Sequence, residues 1–268
     1  MPSLADSEYR AMKVVLFAGG QGTRLRDYDE KVPKPMVSIG YRPIMWHLMK
    51  YYAHYGHTEF IVCLGYKADV IKRYFLAYDE CLSNNFVMAQ GGKQVELLKS
   101  DIQDWRITFV DTGISSTIGE RLRRVRRFVG GDEMFLANYT DCLTDMDLNA
   151  YLSRFCRSTK TAAMVTVPPS VSFHYVTSNN GLVTRLTDAR STQLRVNGGF
   201  FAFRQSLFDD LHEGEELVDG PFHRLIDKEQ LLAYEHDGFW RAMDTFKDKE
   251  HLDSLYCAGS PPWQVWDS

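Results

Sequence analysis

The sequence predicts an α/β fold, a doubly wound and mostly parallel sheet with a small mixed β region toward the C-terminus. Three observations predict it. Short, β-branched apolar runs alternate with helix-period segments from the N-terminus onward, the order expected of parallel strands joined by crossover helices. The first run breaks into glycines, as a strand does at a tight turn. From about residue 170 the pattern shortens to brief strands and turns, "HYVTSNNGLVTRL" and "VNGGFFAF".

The elements follow in order. "MPSLADSEYRA" carries charges where a signal peptide needs an apolar core, so residues 1–11 read as a flexible tail. "KVVLFA" is a buried parallel strand ended by glycine. "RPIMWHLMKYYAHYG" is a helix that starts at Pro43 and stops at Gly56. "EFIVCLG" is the next strand, "DVIKRYFLAY" a helix and "RITFVDTG" a third strand. The helical "GERLRRVRRFV", the strand "EMFLANYTD", a helix around "NAYLSRFC" and the strand "AAMVTVPP" complete the run. No repeat, low-complexity tract or linker interrupts it, so residues 12–268 read as one domain.

Bulk properties exclude several functions. A chain of 268 residues with a formal charge of -4 is not a generally basic nucleic-acid binder. Five scattered cysteines without a CxxC suit buried thiols in a reducing, cytoplasmic setting better than a disulfide frame or a zinc site. No apolar stretch reaches membrane-spanning length. The histidines show no ligand spacing with one another and read as surface or packing residues.

Ligands of such sheets bind at the carboxyl ends of strands, near the point where strand order reverses. "FAGGQGTR" ends the first strand and falls there. Gly19, Gly20 and Gly22 let backbone N–H groups approach phosphate oxygens, Thr23 adds a donor, and Arg24 can grip two oxygens at once. Lys34 stands between Pro33 and Pro35, which restrict the backbone that carries it. An ordinary strand-to-helix turn with solvated cations fits the glycines alone equally well. Neither a GxxxxGK[ST] phosphate loop nor a GxGxxG dinucleotide fingerprint is present.

"AGGQGTRL" and "PKPMVSIGYRPIMWHLMKYY" resemble the sugar-phosphate nucleotidyltransferases, and within them the cytidylyltransferase branch. The similarity runs on through "VCLGYKADVIKRYF", "WRITFVDTGISSTIGERLRRV", "VNGGFFAF", "HDGFWRAMDTFKDKEHLDSL" and "PPWQVW". The resemblance implies a Rossmann-like fold, with residues 12–169 as the nucleotide-binding part and 170–268 as the sugar-binding and C-terminal part. It implies that CTP, or another nucleoside triphosphate, is attacked at its α-phosphate by a sugar 1-phosphate, glucose 1-phosphate first among them. Two aspartates, matched to Asp141 and Asp244, hold Mg²⁺ in such enzymes, a hard cation suited to few carboxylates. Arg24 then takes the β- and γ-phosphates and Lys34 the α-phosphate. Gly65, Tyr66 and Lys67 match segments beside the nucleotide, and Arg121 matches an arginine near both ligands. Asn197 and Gly198 suit sugar hydroxyls, and Trp240 is either a flat wall for a sugar face or a core residue. Relatives of this kind are homo-oligomers, and "PPWQVW" is either an interface or a cover for the core.

Departures cluster on the acceptor side. The lysine that holds the sugar phosphate falls on Ala189, with Arg190 one position later as a candidate replacement. A Gly-Asp-Gly pattern has become Thr140-Asp141-Cys142, and Ser172, Phe173 and His174 replace another expected segment. Three functions stay open: the glucose 1-phosphate reaction, the same chemistry on a different phosphorylated or phosphonylated acceptor, and a nucleotide-binding protein without turnover. Arg123, Arg124, Arg126 and Arg127 read as a solvated helix face.

Overall fold

The computed structural model describes residues 10–20, 32–169, 174–189 and 192–266. Strand β1 (Val14–Phe17) leads to the short pair β2 (Ser38–Ile39) and β3 (Arg42–Pro43), helix α1 (Ile44–His54) and β4 (Glu59–Leu64). Next come α2 (Ala68–Leu76), the hairpin β5 (Phe86–Ala89) and β6 (Gln94–Leu97), β7 (Arg106–Asp111), α3 (Ile118–Val129) and β8 (Met134–Asn138). The chain continues through β9 (Cys142–Thr144), α4 (Leu148–Arg157) and β10 (Ala162–Val167) to a second hairpin, β11 (His174–Asn179) and β12 (Leu182–Asp188). It ends with β13 (Val196–Arg204), α5 (His223–Asp227), β14 (Leu231–Glu235), β15 (Trp240–Ala242) and α6 (Phe246–Cys257).

Seven strands form the central sheet in the order β14-β10-β13-β8-β1-β4-β7. All run parallel except β13, which is antiparallel to both β8 and β10. The sheet is doubly wound: from β1 the chain builds outward through β4 and β7, then returns to place β8 on the other side of β1. The reversal point therefore lies between β1 and β8. The "VNGGFFAF" run, expected in a smaller β region, instead forms β13 and enters this sheet, and β14 joins its edge. Its Phe200–Phe203 are buried, which is why it sits between two strands and not at a rim.

Alternation along the strands supplies two cores. Val14, Leu16, Phe60 and Val62 face a layer that includes α1, α4 and Leu252 of α6. Val15, Phe17, Ile61 and Cys63 face Leu122, Val125 and Val129 of α3 on the other side. Trp263 is buried on the first face, donates to His47 Nδ1 at 3.4 Å, and makes "PPWQVW" a cover for the core. His47 and His57 are buried rather than superficial; His57 Nδ1 accepts from Met12 N at 2.9 Å. None of the five cysteines forms a disulfide. No described helix is long and apolar enough to cross a membrane.

Candidate active site

The carboxyl edge of β1, β4 and β8 carries the predicted residues, and short-range hydrogen bonds fix their relation. Lys34 opens a 3-10 turn over Lys34–Met36, with Pro33 extended before it and Pro35 buried behind it. The turn closes through Met36 N to Pro33 O at 2.8 Å and Val37 N to Lys34 O at 3.2 Å. The lysine is thus carried on a stiff backbone, as the flanking prolines suggest.

Asp141 and Asp244 are brought together by a two-stranded ladder. Strand β9 pairs with β15 antiparallel, with Cys142 opposite Ala242. Asp141 immediately precedes β9 and Asp244 closely follows β15, so both fall at the same end, and Met243 N donates to Asp141 O at 2.8 Å. Lys34 Nζ donates to Asp141 Oδ2 and to Asp244 Oδ1, each at 2.7 Å. Burial pulls the Lys34 pKa down, but Asp141 and Asp244 outweigh it and leave the ammonium above its ordinary range. Burial raises the Asp141 carboxyl, against the pull of Lys34. Two carboxylates converging on one cation make a preformed cation site. Their hard oxygens and their number suit Mg²⁺, which takes one or two carboxylates together with substrate phosphates. No larger group of metal-ligating side chains occurs among the described residues.

The glycine turn begins beside this pair. Thr140 Oγ1 donates to Phe17 O at 3.1 Å, tying the end of β8 to the end of β1. Gly19 is buried and its carbonyl accepts from Tyr66 N at 3.1 Å. A Cβ at Gly19 would fall 2.1 Å from Arg121 Nη1 and 2.9 Å from Gly65 N, so glycine is required there by packing. Gly65 is as constrained, since its Cβ would meet Gly19 O at 2.6 Å. Gly20 is exposed. Gly22, Thr23 and Arg24 lie outside the described residues, as do Ser172, Phe173 and Arg190.

Arg121 takes a different place from the one expected of a ligand-binding residue. It is only 2% exposed and its guanidinium donates to Leu64 O (3.1 Å), Thr112 Oγ1 (2.8 Å), Gly19 O (3.0 Å) and Ile114 O (3.2 Å). With its donors spent on the ends of β1, β4 and β7, it braces the platform under the glycine turn and offers no free fork to a phosphate or a sugar. Tyr66 and Lys67 are partly exposed on the same platform; Lys67 starts α2 with φ 51°, its ammonium 5.2 Å from the centre of the Tyr66 ring.

On the other flank, β13 begins where β8 ends. Asn197 is engaged internally: its Oδ1 accepts from Gly199 N at 2.9 Å and its Nδ2 donates to the Tyr139 hydroxyl at 3.4 Å. Trp240 is half-buried and donates from Nε1 to Gly198 O at 2.9 Å, while Cys142 Sγ lies 3.4 Å from the same carbonyl. Ala189 is 1% exposed and His174 is exposed at the start of the β11–β12 hairpin.

Tyr139 and the left-handed Thr140 escaped the sequence reading. Thr140 has φ 68°, and its amide donates to Asn138 Oδ1 at 2.8 Å. The signal was present in Thr140-Asp141-Cys142, because a position where the resemblance expects glycine is where positive φ is expected.

Comparison with known proteins agrees with this geometry. The nucleotidyl transferase family matches over residues 13–248. The chain is 38% identical over 259 residues to the glucose-1-phosphate cytidylyltransferase of Salmonella typhimurium, spanning 96% of this chain and 100% of that one. It is 36% identical over 258 residues to the probable glucose-1-phosphate cytidylyltransferase of Bacillus subtilis, spanning 95% and 100%. Among solved structures, apo UDP-glucose pyrophosphorylase superposes with a TM-score of 0.68 at 15% identity, covering 93% of this chain and 99% of that one. A putative glucose-1-phosphate thymidylyltransferase from Bacillus anthracis gives 0.65 at 17% identity, covering 91% and 95%. At those identities the two structures speak for the fold alone. The fold, the extent of the match and the full-length relatives agree: the chain belongs to the nucleotidyl transferase family.

Proposed function

We propose that this protein joins CTP to glucose 1-phosphate, giving CDP-glucose and pyrophosphate. The observation that carries the reading is the Lys34 ammonium held 2.7 Å from both Asp141 and Asp244 at the strand reversal, in a chain 38% identical to a glucose-1-phosphate cytidylyltransferase over its full length. A phosphate oxygen of the sugar phosphate attacks the α-phosphorus, forming a new P–O bond. The bond to the bridging oxygen breaks and pyrophosphate leaves. Such transfers ask the protein to position the reactants and neutralise charge. Lys34 neutralises the α-phosphate where charge develops, and the Arg121-braced turn from Gly19 onward supports the triphosphate. Asp141 and Asp244 would hold Mg²⁺, which when bound supplies further charge neutralisation for the phosphates.

A second reading concerns the acceptor. Ala189, where relatives place the sugar-phosphate lysine, is buried and brings no charge, and the Thr140-Asp141-Cys142 corner is filled with side chains. These changes favour an altered phosphorylated or phosphonylated acceptor over lost turnover, since the three charged groups at the cleft are retained. Incubation with each nucleoside triphosphate, Mg²⁺ and a panel of sugar phosphates, followed by pyrophosphate release, separates the readings. Release with CTP and glucose 1-phosphate supports the first and release only with another acceptor supports the second. CTP binding without any release contradicts both.

We also infer a homo-oligomer in the cytoplasm. The β5–β6 and β11–β12 hairpins expose Met88 (65%), Val176 (58%) and Leu186 (65%), apolar surface of the kind that a second copy covers. Five cysteines without a disulfide suit a reducing compartment. Sedimentation equilibrium at the 30.9 kDa monomer mass would contradict the assembly.

A further inference from the structure

At the opposite, amino-terminal edge of the sheet lies a cleft of about 650 Å³ that the reaction does not use. Its walls are the segment entering β1, the starts of β4 and β7, and the end of α3. Four cations line it, Arg10, Lys13, Arg106 and Arg127, against two carboxylates, Glu59 and Asp132. Lys13 is matched by Asp132 at 2.9 Å. Glu59 stands opposite Arg106 in the β4–β7 register, and no carboxylate lies within ion-pair distance of Arg10, Arg106 or Arg127 among the described residues. The cleft therefore carries two positive charges in excess, on a chain whose formal charge is -4.

Position separates Arg127 from the rest of the basic helix face, since Arg123, Arg124 and Arg126 do not line this cleft. Arg123 and Arg124 pair with Glu120 at 3.1 and 2.9 Å, and Arg126 lies over the Phe208 ring at 5.2 Å. Arg127 lies 4.7 Å from the centre of the Phe128 ring, has no acidic partner among the described residues, and is the one arginine of this helix that lines the cleft. Ile61 and Phe128, both on the α3 side of the sheet, add an apolar wall. The volume falls in the range of small-molecule sites, and an apolar wall with a few convergent charged donors is their usual make-up. Guanidinium forks match phosphate oxygens in geometry as well as charge.

We propose that this cleft binds a small dianionic phosphate compound, either free phosphate or a phosphate ester whose body rests on Phe128, at a site distinct from the Lys34 cleft. The proposal does not depend on which acceptor the enzyme uses. Calorimetry on the full chain, in low-salt buffer free of phosphate, tests it with inorganic phosphate and CMP as probes. Binding of at least one probe is expected to weaken about tenfold or more in the Arg106→Ala/Arg127→Ala variant, from the loss of charge-assisted hydrogen bonds. It should tighten in Glu59→Gln, a gain that misfolding cannot produce. Counting only binding that the arginine variant weakens, tighter CMP than phosphate identifies an ester; equal or tighter phosphate identifies the free anion. The double variant should release pyrophosphate at the wild-type rate under saturating substrates. No binding of either probe at millimolar concentration overturns the site, and so does binding that the arginine and glutamate variants leave unchanged.

Discussion

Thr140 keeps a left-handed backbone at φ 68° while 1% exposed, in a conformation that costs a β-branched residue about 1–2 kcal/mol. Its hydroxyl bond to Phe17 O returns part of that cost. Thr140→Ala keeps the strain and loses the bond, so it should be less stable by about 1–2 kcal/mol, whereas Thr140→Gly loses both and should stay within about 1 kcal/mol of the parent. Urea midpoints decide between them, and an unchanged Thr140→Ala would remove Thr140 from this role. At this scale the sequence was informative where chemistry and neighbours spoke together. Lys34 stood out because two prolines flank it, and Asp141 because it follows a buried strand inside a stretch that resembles the family's motif. Arg121 was not, because the same residue type serves a phosphate or four protein acceptors, and only burial tells them apart. The interior use of Asn197 was equally hidden, its partner Tyr139 lying 58 positions away.

Helix α6 begins two residues after Asp244, and its N-cap, Thr245, is the residue next to that aspartate. Thr245 and Asp248 form a reciprocal capping box, with Asp248 N donating to Thr245 Oγ1 at 3.2 Å and Thr245 N to Asp248 Oδ2 at 3.0 Å. Thr245→Ala should cost about 1 kcal/mol, lowering the thermal midpoint by roughly 2 °C. It should also slow pyrophosphate release several-fold, because the box fixes the backbone next to Asp244. A stability loss with no change in rate would show that the cap does not position Asp244. Elements of this kind were readable from local pattern: the strand runs of β1, β4, β7, β8 and β10, and the helices between them, follow from apolar period and from Pro43 and Gly56. The insertion of β13 between β8 and β10 was not readable, since strand pairing across more than 50 residues leaves no local trace. Nor was the burial of Trp263 against α1, decided by a partner 216 positions earlier.

Across the whole molecule, two buried histidines couple stability to acidity. Burial pushes His47 and His57 down from 6.5 to about 4. Their folded values lie below the unfolded one, so between those limits the unfolded chain binds more protons. The contribution is fully present above about pH 6.5 and is lost as pH falls toward 4, at about 1.4 kcal/mol per pH unit for each histidine. Urea midpoints between pH 7.5 and 4.5 should fall accordingly, and a flat profile would contradict the burial of both rings. The doubly wound plan itself was legible from the alternation of elements, and it alone located the site at the strand reversal. The most direct measurement compares pyrophosphate release by the parent and Lys34→Ala with CTP, Mg²⁺ and the active acceptor. The rate should drop about 10²–10³-fold while CTP affinity changes by less than about tenfold, as for a charge felt mainly in the transition state. A variant that turns over at the parental rate would contradict the role assigned to Lys34.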